Sequence, residues 1–209
     1  MSLTVSESSG VQAFEPIPAG TYPARCAGLI DLGVHKNEMY GTERPRVRII
    51  WELPTETIQR NGETEPRWIS KPYTASLNEK AELRRDLDSW RGRSFTAVEL
   101  KRFELISVID MPCMLSIIHK TSKNGNTYAC VSAVSKVMRG FDVPALKNPP
   151  LLFDFDYPRE QMLTALEALP EWMRNEVQKS ITWQQLCEQP QELAEKVVDV
   201  FADELPWET

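Results

Sequence analysis

The stretch Arg46-Val-Arg-Ile-Ile-Trp-Glu-Leu53 decides how the rest of the chain is read. Val47, Ile49, Trp51 and Leu53 alternate with Arg46, Arg48, Ile50 and Glu52. A β-strand sends successive side chains to opposite faces. This period of two therefore predicts a strand with one apolar face and one face that carries two arginines.

Working outward, Pro18-Ala-Gly-Thr-Tyr-Pro-Ala-Arg-Cys-Ala-Gly-Leu-Ile30 reads as a turn and then a strand. Pro23 belongs near its start or on an edge, because it has no N–H to give a ladder. A polar loop is expected over 35–44. On the other side, Pro54, Asn61-Gly62 and Pro66 predict a long loop over 54–66, with a third strand at 68–76. Asn78 is placed to cap a helix over 79–90, in which Leu83 and Leu87 share a face. A shorter helix is expected over 97–102. Strands at 113–119 and 128–137 follow, joined through Asn124-Gly125, a pair suited to a tight hairpin. Three strands, one or two helices and a hairpin is the element order of the oligonucleotide-binding (OB) fold. That fold is a mainly β (α+β), five-stranded Greek-key barrel with a helix between strands 3 and 4. A generic α+β domain shows the same order.

The expected organisation has five parts. Residues 1–14 are Ser-rich and aperiodic, and read as disordered. The barrel domain spans 15–139. Residues 140–157, with Pro144, Pro149 and Pro150, form a semi-rigid linker. Residues 158–201 form a short-helix segment, since Met162, Leu163, Leu166 and Leu169 stand at helical spacing after Pro158. Further helices are expected over 171–179, 183–187 and 191–201. An acidic tail occupies 202–209.

The 209 residues carry a net charge of −6, with 42% hydrophobic and 26% charged residues. The charge is unevenly placed. Residues 1–150 hold 20 Lys+Arg against 17 Asp+Glu, while residues 151–209 hold 4 against 13. A mildly basic body is thus followed by a strongly acidic end. No run of 18 apolar residues suggests a membrane span, and the start lacks the basic and apolar regions of a secretory signal. Cys26, Cys113, Cys130 and Cys187 stand far apart without CxxC or CxxH spacing, and His35 and His119 add little. Reduced thiols, and neither metal nor cofactor, are expected. No GxSxG, nucleotide loop, HExxH or Cys/His pair predicts catalysis. Asp154 and Asp156 read as turn caps.

Cations with nearby aromatics are what sequence-tolerant binding of a single strand requires, the former for phosphates and the latter for stacked bases. Arg44, Arg46 and Arg48 supply cations that can track a phosphate backbone, and Lys71 with Tyr73 pairs a cation with a ring. Lys120, Lys123 and Tyr128 around the Asn-Gly tip combine the two. The plainer readings are a solvated strand face for the arginines and core packing for the tyrosines. The mixed charges over 79–93 read as a salt-bridged helix face, with Trp90 as a core anchor. Asp203-Glu-Leu-Pro-Trp207 is a short linear motif that combines acids for a basic rim with Leu205 and Trp207 for an apolar pocket. It also reads, more simply, as a frayed end.

The segments Ile69-Ser-Lys-Pro-Tyr-Thr74, Leu77-Asn-Glu-Lys80, Trp90-Arg-Gly-Arg-Ser-Phe-Thr96 and His119-Lys-Thr-Ser-Lys-Asn-Gly-Asn-Thr-Tyr128 carry a resemblance. Through them the chain resembles a family of phage-encoded single-stranded-DNA-binding proteins, over about 14–137, with an echo at Leu169-Pro-Glu-Trp172. The tail is similar to the acidic tip of bacterial single-stranded-DNA-binding proteins. It departs from that tip by Trp in place of Phe and by Glu208 and Thr209 beyond it. The resemblance implies an OB barrel in the cytoplasm of a bacterial host. It also implies non-catalytic, largely sequence-independent binding of single-stranded DNA in replication or recombination, with partner proteins engaged through Asp203, Glu204, Leu205, Pro206 and Trp207. The charge split suggests that the acidic end alternatively modulates DNA binding by competing for the groove. A second reading is an adaptor or inhibitor of a host or phage protein that acts through the helical segment. A nuclease is a third. The sequence leaves open the oligomeric state, a homo-oligomer included, and the choice between DNA and RNA.

Overall fold

The computed structural model of the chain describes residues 15–37, 41–60 and 62–188. The 1–14 segment, residues 38–40 of the loop expected over 35–44, the helix expected over 191–201 and the terminal peptide lie outside these residues. The alternating stretch Arg46 to Leu53 is the middle of β2 (Glu43–Arg60), which pairs with β1 (Gly20–Lys36) on one side and β3 (Glu63–Thr74) on the other. Both strands run further than the loops expected over 35–44 and 54–66 would allow. A register irregularity between Leu53 and Thr57 absorbs Pro54, whose missing N–H does not suit a regular ladder, so the hairpin continues as an arm toward Gly62.

β1 is shared between three partners. Gly20 to Arg25 pair with β4 (Pro112–Thr121), Arg25 to Lys36 with β2, and Gly28 to Ile30 run parallel to β6 (Leu151–Phe153). Irregularities at Cys26/Gly28 and Asp31/Gly33 bend the strand. β5 (Thr127–Ser135) completes a mainly β, curled antiparallel sheet with the path β3-β2-β1-β4-β5. The ends of the path, β3 and β5, lie in contact, and α1 (Glu82–Arg91) touches both. α2 (Ala97–Lys101) follows, started by a capping box between Thr96 and Glu99.

The inner face holds the first core. Val47, Ile49, Trp51 and Leu53 pack there with Leu115, Ile117, Val131 and the α1 residues Leu83, Leu87 and Trp90. Trp90 anchors the helix, its ring 6.0 Å from that of Trp51 and its N–H donating to the Pro112 carbonyl at 2.9 Å. Ile17 joins this core, and the residues around it are tied by Arg67 to the Glu15 carbonyl and by His119 to the Ile17 carbonyl.

The outer face of β1 and β2 is not solvated. Ile30, Leu32 and Ile50 form a second core with Phe153 and with α3 (Arg159–Ala168) and α4 (Glu171–Gln178), through Met162, Leu166, Leu169, Met173 and Val177. α5 (Ile181–Glu188) packs beside β1, where Thr182 Oγ1 accepts the Val34 N–H at 2.9 Å. Burying that many apolar side chains is worth about 1.5–3 kcal/mol each, so α3 and α4 are part of the folded body. The segment expected as a linker over 140–157 is likewise held down. The Arg25 guanidinium donates to the Val143 and Pro144 carbonyls at 2.6 and 2.8 Å, and the buried Glu52 carboxylate accepts the Lys147 N–H at 2.9 Å. Gly28 lets β6 approach, since a Cβ there would stand 2.6 Å from the Leu151 carbonyl.

The four cysteines are free. Burial pushes the Cys26 thiol up to about 12 and the Cys113 thiol well above its ordinary value. Asp154 Oδ1 accepts the Asp156 N–H at 2.9 Å, as a turn cap does. No helix among the described residues is long and apolar enough to cross a membrane.

Candidate nucleic-acid interface

Strand alternation separates the eight expected DNA-contacting residues into three environments. Lys71 and Tyr73 share the inner face of β3 with Ile69, so both point at the core. Lys71 Nζ lies 2.7 Å from Asp86 Oδ2 and 2.9 Å from Glu82 Oε1. Tyr73, 3% exposed, donates its hydroxyl to Asp86 Oδ2 at 2.9 Å. Burial, then the Asp86 carboxylate, raise the Tyr73 hydroxyl far above its usual pKa. These two residues are therefore corrected from surface contacts to a buried network that fastens β3 to α1. A phosphate or a base has no access to them.

Arg48 is the second case. It does face outward from β2, yet α4 covers it. Its Nη2 donates to Glu176 Oε2 at 2.6 Å and its Nη1 to Ser70 Oγ at 3.0 Å, and the guanidinium stands 4.9 Å from the Trp172 ring centre. The side chain keeps only 11% of its surface exposed, which removes it from the list of direct phosphate contacts. Arg46 is half-covered, 3.9 Å from Glu176 Oε1, and Arg44 is exposed.

Lys120, Lys123 and Tyr128 form the third group, and all are exposed. On the β4–β5 hairpin Lys120 stands directly opposite Tyr128, and Ile118 opposite Cys130. Directly opposed residues share a face, so these four make one outward strip. Ile118 is 41% and Tyr128 46% exposed, although both could bury apolar surface. The tip follows the expected turn chemistry, with Gly125 at φ +81° and its N–H donating to the Ser122 carbonyl at 3.0 Å. Lys123 sits at that tip. Residues 111–141 include Lys120, Lys123, Lys136 and Arg139 and no carboxylate. That uninterrupted positive stretch is a signal the sequence carries openly, and strand periodicity alone passes over it.

The arginine and lysine sets do not form one groove. Arg44 and Arg46 pair with His35 and Gly33 near the end of β1, while Ile117 pairs with Gly20 at its start. About 13 strand residues, roughly 40 Å of chain, separate the two levels. Trp68 and Trp172 line an open cleft of ≈ 1010 Å³ between β3 and α4, together with Arg60, Glu63, Glu65 and Arg67. Among the described residues no group of three or more His, Cys, Asp or Glu is placed to hold a metal ion. The expected partner-binding residues Asp203, Glu204, Leu205, Pro206 and Trp207 lie outside the described residues. No family model, no curated protein and no solved structure matches this chain.

Proposed function

We propose that the curled sheet is an OB barrel and that the protein binds single-stranded DNA without catalysis, using the outward strip of the β4–β5 hairpin. The observation that carries this reading is the Lys120–Tyr128 cross-strand pair, with Lys123 at the tip, on a hairpin free of carboxylates. The lysines neutralise phosphates, and the Tyr128 ring offers a stacking surface worth ~1–3 kcal/mol per base. The barrel reading is supported by the strand path β3-β2-β1-β4-β5, by the contact between β3 and β5, and by a helix placed between β3 and β4 in the chain. In this reading the protein works in DNA replication or recombination in a bacterial cytoplasm, and the terminal peptide Asp203-Glu-Leu-Pro-Trp207 recruits partner proteins. The adaptor reading through 158–201 keeps less apolar surface to work with, because Met162, Leu166, Met173 and Val177 of α3 and α4 are committed to the second core, while Leu163 and Trp172 stay exposed.

The test is a titration of a fluorescently labelled 30-mer of single-stranded DNA, with a duplex control, at two salt concentrations. Binding tighter than to duplex and weakened by salt is the expected result. Lys120→Glu with Tyr128→Ala should weaken it by about tenfold or more. Absence of binding at low salt would overturn the reading.

A further inference from the structure

The β4–β5 hairpin has a second cationic end. β5 leaves the sheet at Ser135, and the Lys136 N–H donates to the Ser89 carbonyl at 3.1 Å. The chain then turns at Met138-Arg-Gly-Phe141, where the Phe141 N–H donates to the Met138 carbonyl at 3.2 Å and Gly140 has φ +80°. That is a type II turn, whose third position calls for glycine. Two residues on, the Val143 carbonyl accepts from Arg25 at 2.6 Å. Arg25 alternates with the core residues Ala24 and Cys26, so its side chain marks the outer side of the sheet. The turn is thereby brought to the side on which Lys120 and Tyr128 stand.

The turn repeats the composition of the hairpin tip. Phe141 is 49% and Met138 63% exposed, and Lys136 and Arg139 beside them are exposed as well. Gly92 leaves room for the first of these cations, since a Cβ there would lie 2.8 Å from the Lys136 Cδ. Lys120, Lys123, Lys136 and Arg139 make no ion pair among the described residues. Arg46, Arg48 and Lys71, by contrast, each stand 3.9 Å or less from a carboxylate. Over 111–142 these four cations are set against a single acid, Asp142, at the end of the turn. Between the two ends the outward side of β5 carries Cys130, Ala133 and Ser135, with Ser116 opposite Ala133. None of these side chains is tall enough to block a ligand laid along the strand.

We propose that the turn over 136–141 is a second contact for the single strand, with a base stacked on Phe141 and phosphates beside Lys136 and Arg139. The inference rests on the single-strand reading above and gives it a direction, lengthwise along β5 from the Tyr128 ring to the Phe141 ring. A ring at each end accepts any base, and cations without carboxylate partners neutralise the backbone. An apolar protein partner would use Met138 and Phe141 but has no need of the unpaired cations at both ends, which is why the polyanion is favoured. From Tyr128 to Ser135 the strand spans roughly 23 Å, room for several nucleotides.

The test titrates a labelled single-stranded 30-mer and its duplex with wild type, Phe141→Ala, Phe141→Tyr, Arg139→Ala and Asp142→Asn. All four replacements are at exposed positions, and unchanged melting curves confirm that each variant is folded. Phe141→Ala should weaken single-strand binding about tenfold, and Phe141→Tyr, which keeps a ring, by about twofold or less. Arg139→Ala should reduce the salt slope by about one. Asp142→Asn removes the one acid and should tighten binding about two- to threefold. A 5-iodouracil-substituted 30-mer, irradiated and mapped by mass spectrometry, should cross-link at Phe141 as well as at Tyr128. Three results overturn the inference. If Lys120→Glu with Tyr128→Ala weakens binding while the turn variants bind as wild type, the turn is off the path and the single-strand reading stands. If the wild type binds no single strand, both fail together. If Phe141→Ala loses as much affinity for duplex as for single strand, no base stacks on the ring.

Discussion

Replacing Asp86 tests whether Lys71 and Tyr73 are held for the fold or for a ligand. The Asp86 side chain is 7% exposed, and its Oδ2 receives both Lys71 Nζ at 2.7 Å and the Tyr73 hydroxyl at 2.9 Å. Asp86→Ala leaves the Lys71 ammonium with only Glu82, whose side chain is 52% exposed, and leaves the buried Tyr73 hydroxyl unbonded. Removing one partner of a buried ion pair costs about 3–5 kcal/mol. That is a large share of the roughly 5–15 kcal/mol that holds a folded chain together. For a chain of this length it lowers Tm by about 6–20 °C. Tyr73→Phe removes one hydrogen bond to a charged group and should cost about 1.5–3 kcal/mol. Urea and thermal melts followed by circular dichroism measure both. Oligonucleotide titrations of Tyr73→Phe, below its transition, should match wild type within about twofold, since the ring lies beyond reach of a base. The reasoning is refuted if Asp86→Ala melts like wild type, or if Tyr73→Phe loses tenfold in DNA affinity with its melting curve unchanged.

Three other expectations concern how the helices are held. Glu176→Ala strips the counter-ion from Arg48, 11% exposed, and should lower stability by about 2–3 kcal/mol in urea melts. The double variant Arg48→Met, Glu176→Leu should recover most of that loss. Gly33→Ala places a Cβ 2.8 Å from Ser180 Oγ and 2.9 Å from the Phe155 ring at φ +73°. It should cost more than Gly41→Ala, where φ is +63° but nothing lies within 4 Å and only the ~1–2 kcal/mol backbone term applies. Glu99 is held well below the usual glutamate range, chiefly by Arg93 and then by the Thr96 backbone. Its contribution is complete above the unfolded value of about 4.3 and is lost as pH falls toward the depressed folded value. Glu99→Gln should therefore show a shallower fall in stability below that pH than wild type does.

The sequence by itself determined much of the local structure. Period-two alternation placed Val47, Ile49, Trp51 and Leu53 on the core face, Asn124-Gly125 closed the hairpin, and Leu83, Leu87 and Trp90 faced the sheet. These follow from backbone geometry and from neighbours close in the chain. The split between a basic body and an acidic end was equally plain in the composition. Only the tertiary structure decided which faces meet water. The arginine face of β2 reads as solvated until α4, more than 120 residues later, brings Glu176 and Trp172 over Arg48. Lys71 and Tyr73 share an inward face that becomes satisfiable only because α1 delivers Asp86. Pairing partners so distant in the chain leave no periodic trace. Whether a cation binds a phosphate or a carboxylate of its own fold depends on which one the fold brings within about 4 Å, where the pairing energy resides.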